Sequence, residues 1–207
     1  TLNEKAVIAK EGNKNETWLK YGDNNVTTHE TTTTKTYEIP VFKYTEKTVG
    51  DKTGLPNAEF TLSKNEKGTN PITLVDITAT GETDKTYRVA TEIEKTTTSN
   101  KTKTMVTTPS TGKFKIQGLD ADTYYLTETK QPDGYNKLSA PVKIVIKEDG
   151  TITIGESADT VDEVKVENKS GSILPSTGGM GTTLFYIFGA ILVIGSGVVL
   201  ITKKRMK

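Results

Sequence analysis

An all-β fold, a β-sandwich of immunoglobulin-like type, is predicted for most of this 207-residue sequence. Short runs alternate apolar with polar side chains and are rich in Thr, Val, Ile and Tyr, while Gly, Pro, Asn and Asp separate them. The predicted strands are residues 36–46, 58–63, 72–77, 87–94, 113–117, 123–130, 141–147, 151–155 and 161–168. Together they define a domain over residues 37–169, which is enough chain for one hydrophobic core.

Turn residues and two Thr-rich stretches punctuate this pattern. Glu148-Asp149-Gly150 predicts a tight hairpin, because Gly150 can adopt a left-handed conformation. The Thr-rich stretch at 26–36 is predicted to be a linker, and the one at 96–111 an exposed hairpin or a flexible insertion. Neither stretch has many apolar residues to bury.

Residues 1–25 are predicted to be the C-terminal end of a preceding β-sandwich domain, with Trp18 packing inside it. His29 lies in the polar linker and is expected to be solvated. The chain opens without the basic and apolar segments of a signal peptide. Because an exported protein needs one, we expect this chain to be the C-terminal part of something longer.

The C-terminus carries three signals in order. The motif Leu174-Pro175-Ser176-Thr177-Gly178 lies in a predicted linker, 170–183, and an uncharged apolar run follows at 184–202. A run of roughly 18 residues can cross a bilayer as a helix. The basic cluster at 203–207 marks the cytoplasmic end, because Lys and Arg resist translocation. Everything before Leu174 is therefore predicted to be extracellular.

Composition argues against several classes of partner. The formal net charge is +1, and without the basic cluster at 203–207 the chain has 23 basic and 26 acidic side chains, a net charge of −3. No basic patch stands out, so nucleic acid is not an expected partner. There is no cysteine, so disulfides cannot stabilise the extracellular product. With one histidine and no clustered metal ligands, we expect no cofactor, no metal and no enzymatic turnover.

Three polar residues continue apolar faces of predicted strands, since side chains alternate between the faces of a strand. They are Lys43 beside Ile39 and Val41, Glu128 beside Tyr124 and Leu126, and Asn168 beside Val164 and Val166. Burying Lys or Glu without a partner costs several kcal/mol or favours the neutral form. Parity alone leaves two possibilities open, a common buried cluster or strand ends that reach water.

The order of motif, Gly-rich spacer, apolar span and basic stop resembles the sorting signal that sortases read on Gram-positive surface proteins. The resemblance implies cleavage between Thr177 and Gly178 and transfer of the Thr177 carbonyl to an amine. The transmembrane helix at 184–202 then keeps the chain in the membrane only until cleavage, and the product is anchored to the cell wall. An ordinary membrane anchor is the weaker alternative.

Further motifs resemble a SpaA-type pilin domain, also called a Cna B-type domain. After the strand with Lys43 comes Gly54-Leu55-Pro56-Asn57-Ala58-Glu59-Phe60-Thr61-Leu62, which is similar to the opening of that family. The family's glutamate motif, Tyr-x-Leu-x-Glu-x-x-Ala-Pro-x-Gly-Tyr, is matched by Tyr124, Leu126, Glu128, Pro132, Gly134 and Tyr135, with Gln131 in place of Ala. Asn168 stands in the last strand, as in the family, and the resemblance covers residues 37–169 and the sorting signal.

This resemblance implies an intramolecular isopeptide bond between Lys43 Nζ and Asn168 Cγ, assisted by Glu128. Desolvation favours a neutral amine, which is a competent nucleophile, and a protonated Glu128. The carboxyl is expected to hydrogen-bond the Asn168 carbonyl and to relay a proton to departing ammonia. Apolar neighbours such as Phe60 and Phe114 would keep the site dry. The reaction runs once, so it is self-modification.

The implied function is structural, the backbone subunit of a covalently polymerised pilus. Expected partners are the pilus and housekeeping sortases, neighbouring pilin subunits, the peptidoglycan cross-bridge and a host surface. The family's acceptor lysine lies in a Tyr-Pro-Lys type motif that this sequence lacks, so we expect it upstream. The alternative is an ancillary pilin or a matrix-binding adhesin with this domain as a stalk. A wall-anchored hydrolase finds no support in these residues.

Overall fold

The computed structural model describes residues 6–96 and 101–171. Over these residues the chain forms sixteen strands and one short helix. The elements are β1 Ala9–Thr17, β2 Lys20–Tyr21, β3 Asn25–Val26, β4 Glu30–Glu46, β5 Lys52–Gly54, β6 Glu59–Ser63, β7 Leu74–Asp76, β8 Lys85–Val89, α1 Glu92–Thr96, β9 Thr102–Lys103, β10 Val106–Thr107, β11 Lys113–Leu119, β12 Thr123–Lys130, β13 Val142–Ile146, β14 Ile152–Ile154, β15 Thr160–Val161 and β16 Val164–Glu167.

The strands form two large sheets and one small hairpin. The first sheet has the order β1-β4-β11-β8-β7-β9, with β16 and β5 also paired to β4. The second sheet has the order β10-β6-β12-β13-β14-β15, and β2 pairs with β3. Neighbouring strands are antiparallel except β8 with β11 and β4 with β16. The first long strand of the sandwich therefore lies beside the last one.

A single hydrophobic core lies between the two large sheets. Ile39 and Val41 enter it from β4, and Phe60 and Leu126 enter it from the second sheet. The Phe60 ring tilts against the ring of Phe114 in β11, with 5.9 Å between ring centroids. The prediction of an all-β sandwich is confirmed.

The predicted strands all have counterparts, and β12 has the predicted bounds. The hairpin at 148–150 is also confirmed: Gly150 has a φ of 83°, and its N–H donates to the Lys147 carbonyl at 2.9 Å between β13 and β14. The last predicted strand, 161–168, is two strands, β15 and β16, which belong to different sheets.

One predicted strand ends early because a helix cap interrupts it. The prediction of a strand over 87–94 is wrong after Val89, where the chain turns into α1. Glu94 N–H donates to Thr91 Oγ1 at 3.3 Å, and Thr91 N–H donates to Glu94 Oε2 at 2.9 Å. This reciprocal capping box satisfies two donors at the helix start. Arg88 then holds Glu94 through two hydrogen bonds of 2.6 and 2.7 Å.

The structure differs from the predicted linker at 26–36, because from Glu30 onward these residues are the first half of β4. They pair in antiparallel register with β1, for example Thr33 with Lys14. Thr favours extended backbone, and backbone pairing needs no apolar alternation, so the sequence pattern gave no sign of this ladder. The assignment of residues 1–25 to a preceding domain stays a prediction.

The second Thr-rich stretch also contributes to both sheets. β9 pairs with β7 in the first sheet, and β10 pairs with β6 in the second. Val106 and Thr108 are buried. The Thr108 hydroxyl accepts from Ala58 N–H at 2.9 Å and donates to the Leu55 carbonyl at 2.8 Å. The described part of 96–111 is thus more buried than an exposed hairpin.

Trp18 and His29 are exposed to solvent but contact each other. Trp18 is 54% exposed, and its ring stacks on the His29 ring with 4.7 Å between centroids. His29 Nδ1 lies 2.6 Å from Glu16 Oε1. His29 is therefore solvated as expected and is also held by two neighbours.

The C-terminal predictions concern residues that the structure does not describe. The sorting motif at 174–178, the transmembrane helix at 184–202 and the basic tail at 203–207 all lie outside the described residues. Within 6–96 and 101–171, none of the helical structure is long and apolar enough to span a bilayer.

Candidate cross-linking site

The site begins with Lys43 in β4, where alternation places its side chain on the face of Ile39 and Val41. All three are essentially inaccessible to solvent. The Lys43 main chain is fixed by hydrogen bonds outside the regular ladder. Its N–H donates to the Gly112 carbonyl at 2.8 Å, and its carbonyl accepts from Leu55 N–H at 2.9 Å.

Two glycines let the chain approach Lys43 this closely. A Cβ on Gly112 would lie 2.1 Å from the Lys43 carbonyl oxygen, and a Cβ on Gly54 would lie 2.0 Å from the Thr111 carbonyl oxygen. Gly112 also has a φ of 71°, which L side chains disfavour. The backbone contacts that hold Lys43 therefore require glycine at both positions.

Asn168 follows β16, which pairs in parallel with β4. Val166 lies opposite Lys43 in this pairing. The Asn168 N–H donates to the Tyr44 carbonyl at 2.9 Å, which extends the pairing by one residue. Parity then points the Asn168 side chain to the same face as Val166, and it is 1% exposed.

Glu128 reaches the same place from the second sheet. It lies in β12, opposite Phe60 of β6, and is 2% exposed. Directly opposite residues on antiparallel strands share a face, so the fully buried Phe60 lies on the same face as Glu128. Phe114 packs on Phe60 in turn. The expected apolar surroundings are thus present.

The structure brings the three predicted residues together in one buried cluster. Lys43 Nζ donates a hydrogen bond to Asn168 Oδ1 and a second, of 3.3 Å, to the Val166 carbonyl. Asn168 Nδ2 donates to Glu128 Oε1 at 2.8 Å. The same Oε1 lies 3.5 Å from Lys43 Nζ. One carboxyl oxygen therefore faces both nitrogens.

Burial governs the protonation of the amine. Desolvation lowers the pKa of Lys43 to about 8, although the neighbouring Glu128 carboxylate acts in the opposite direction. A neutral amine is thus far more accessible here than on an exposed lysine. The carboxyl of Glu128 is close enough to take up the proton that the amine gives up.

This arrangement suits aminolysis of the Asn168 amide. The neutral Lys43 amine would attack Asn168 Cγ, the Nζ–Cγ bond would form, and the Cγ–Nδ2 bond would break. Glu128 would give its proton to Nδ2, which leaves as ammonia, and would take one back from Nζ. The expected hydrogen bond from Glu128 to the Asn168 carbonyl is not the one found. Asn168 Nδ2 instead donates to the carboxyl, so this nitrogen lies within reach of the Glu128 proton once attack at Cγ has made it basic.

One group at the site was missed by sequence reasoning. Leu138 N–H donates to Glu128 Oε2 at 2.8 Å. Nearly every residue type has a main-chain N–H, so the sequence does not reveal such a donor. The one available hint was position, because Leu138 lies in the loop that follows the glutamate motif. No cluster of His, Asp or Glu suited to a metal ion occurs among residues 6–96 and 101–171.

Two family models match the sequence. Residues 42–159 match the SpaA family, a prealbumin-like fold domain, and residues 167–207 match the LPXTG cell wall anchor motif. The first match spans more than half of the chain and contains Lys43 and Glu128. The second contains Asn168 and the predicted sorting motif.

Individual relatives are pilus proteins. The fimbrial subunit type 1 of Actinomyces viscosus is 35% identical over 94 residues, which are 45% of this chain and 17% of that protein. The pilus 2b backbone protein of group B streptococcus is 26% identical, with a TM-score of 0.43 over 73% of this chain and 49% of that one. The major pilin RrgB of Streptococcus pneumoniae is 18% identical, with a TM-score of 0.43 over 78% of this chain and 37% of that one. The chain thus spans less than half the length of each.

Proposed function

Because this chain belongs to the SpaA family of prealbumin-like domains and carries an LPXTG cell wall anchor that places it outside the cell, we propose that it is the load-bearing C-terminal part of a pilus backbone subunit. Its role is structural, and it performs no turnover. An isopeptide bond between Lys43 and Asn168, formed with the help of Glu128, closes the domain.

The observation that carries this proposal is the buried contact of three reactive groups. Lys43 and Glu128 lie in strands of different sheets, Asn168 directly follows β16, and all three are at most 2% exposed. Burying an amine, a carboxyl and an amide together is costly unless each has a partner. A reaction that removes the charge and joins two of them offers a reason for keeping them there.

The position of the bond suits a subunit under tension. Lys43 and Asn168 are 125 residues apart in sequence and lie on adjacent parallel strands. A force that enters through β4 and leaves after Asn168 would pass through the covalent bond. The residues between them would then carry none of the load, so neither sheet would be peeled apart.

The anchor supplies the other covalent step. A sortase would cut between Thr177 and Gly178 and join Thr177 to a lysine of the next subunit or to the peptidoglycan cross-bridge. The Actinomyces viscosus relative is a fimbrial subunit, and this supports assembly of the present chain into a fibre. Deleting the gene tests the backbone role: the ladder of covalent polymers should vanish from wall extracts, whereas its survival would indicate an ancillary pilin or an adhesin.

Intact mass tests the cross-link directly. We expect the purified 207-residue chain to be lighter than its sequence mass by one ammonia, and the Glu128→Ala variant to have full mass. Glu156→Ala is the matched control, because its carboxyl is 89% exposed and far from the site, so it should still lose ammonia. Peptide mapping should join Lys43 to Asn168. Full mass in the unmodified chain would refute the bond.

A further inference from the structure

The loop between β12 and β13, residues 131–141, contacts the site through its main chain. Leu138 N–H donates to Glu128 Oε2 at 2.8 Å, while Oε1 faces Asn168 Nδ2 and Lys43 Nζ. Oε2 therefore accepts from the loop, and Oε1 accepts from Asn168 Nδ2. Oε1 also lies 3.5 Å from Lys43 Nζ, whose neutral form has a lone pair that can accept, so the proton that the carboxyl exchanges with the amine is carried on Oε1.

The same loop holds the chain beyond Asn168. Asn136 N–H donates to the Lys169 carbonyl at 3.0 Å, and Tyr135 forms an antiparallel bridge with Ser170. These two contacts fix the residues that follow Asn168 directly. The loop therefore touches both the proton-carrying group and the strand that brings the amide to it.

The loop is itself well fixed. Pro132 is buried, and Tyr135 N–H donates to the Pro132 carbonyl at 3.2 Å to close a turn. Gly134 has a φ of 84° in this turn, which favours glycine. Leu138 packs against the hydrophobic core, so its N–H is held in place by its own side chain.

We propose that residues 131–141 are a positioning element for the cross-linking reaction, which extends the proposed function and rests on it. The Leu138 N–H confines the transferable proton to Glu128 Oε1, and the Asn136 N–H docks Lys169 so that Asn168 Nδ2 meets that oxygen. Docking of the C-terminal strand on the loop thus completes the site. Leu138 and Asn136 act through Glu128 and Asn168 and do not themselves react.

Replacing single amides by esters tests this without altering a side chain. The full chain is made by cell-free synthesis with the α-hydroxy acid analogue at Leu138, at Asn136 or, as the control, at Ser157, whose N–H donates to the Ile154 carbonyl at 3.2 Å in a turn outside residues 131–141. Each chain is captured in denaturant and diluted into native buffer. Folding is followed by the near-ultraviolet signal of buried tyrosines, and cross-linking by the fraction that has lost ammonia.

We expect the esters at Leu138 and Asn136 to slow ammonia loss in folded molecules about tenfold or more, since each removes a hydrogen bond that positions Glu128 or the residue after Asn168. The Ser157 ester should react at nearly the unmodified rate. The isotope-labelled carboxyl carbon of Glu128 should shift its NMR resonance with the Leu138 ester and not with the Ser157 ester, which shows that the contact is made in solution. A purely structural role would change the folded fraction but not the rate of ammonia loss within folded molecules.

Other outcomes are equally decisive. If the Leu138 ester reacts as fast as the Ser157 ester, the positioning role is refuted while the cross-link stands. If the Leu138 ester does not fold, the Asn136 ester decides, and an unchanged rate there overturns the proposal. If the unmodified chain keeps its full mass, it is the proposed function that fails.

Discussion

Asn168 contacts Lys43 because Val166 lies opposite Lys43 in the parallel pairing of β16 with β4. Parallel neighbours must be joined by a long crossover, and here the crossover is nearly the whole sandwich. A bond at this contact would turn the domain into one closed loop. The topology thus puts the two residues where a covalent bond would close nearly the whole domain and restrict its unfolded chain the most.

Loss of the bond should destabilise the fold strongly. We expect Lys43→Met to lower the free energy of unfolding by about 5 kcal/mol, because a closed loop of this size restricts the unfolded chain by about that amount. Met keeps most of the apolar stem and leaves no amine to react. Denaturant titration measures the change, with Lys115→Met as the control on a half-exposed lysine of β11. Equal midpoints for Lys43→Met and the unmodified chain would contradict the prediction.

Cross-linking should slow as the pH rises through about 8. Burial lowers the pKa of Lys43 from 10.5 to about 8. Below that pH Lys43 carries the proton that can be handed on to the departing nitrogen. Above it Lys43 is deprotonated and this proton is absent from the buried site, so the rate should fall about tenfold per pH unit.

Mass-resolved time courses at several pH values, started by dilution from denaturant, measure this dependence. The near-ultraviolet signal of the buried tyrosines serves as the control, since folding should not show the same fall. A rate that instead rises through pH 8 and levels off would mean that Glu128 acts as a carboxylate base on the free amine.

Gly112→Ala should impair the cross-link without touching any reacting group. The added Cβ would lie 2.1 Å from the Lys43 carbonyl oxygen and 2.8 Å from the Leu55 nitrogen, so the β4 backbone must move. Gly155→Ala is the matched control: Gly155 also has a positive φ, of 62°, but nothing lies within 4 Å of its Cβ position. Both variants carry backbone strain of about 1 kcal/mol or more. Only Gly112→Ala should leave a fraction of the protein at full mass.

Strand parity predicted the buried faces of Lys43, Glu128 and Asn168, because side-chain period along a strand is fixed at two. It could not show that the faces meet, since that depends on how the sheets pair and pack. The family resemblance supplied the grouping. The structure places the three groups in contact, and the isopeptide bond itself stays a prediction.

Three other features of the structure have no recognisable pattern in the sequence. The first half of β4 pairs through its backbone with β1 and buries almost nothing, so no apolar alternation marks it. The helix α1 has five residues, too few for a periodic pattern, and follows from the cap at Thr91 and Glu94. The Leu138 contact is made by the main chain, which is the same for nearly every residue type.

Sorting and cross-linking should be separable by substitution. We expect Thr177→Val to abolish attachment to the wall, because it removes the Thr side chain of the motif directly before the bond that is cut, and to leave the protein in the membrane fraction. Ser176→Ala is the control, since that position of the motif is variable. Muramidase release of the wall fraction, followed by immunoblotting, measures attachment. The Thr177→Val protein should still lack one ammonia, because Lys43, Glu128 and Asn168 lie outside the motif. Wall-linked Thr177→Val protein would show that Thr177–Gly178 is not the bond that is cut.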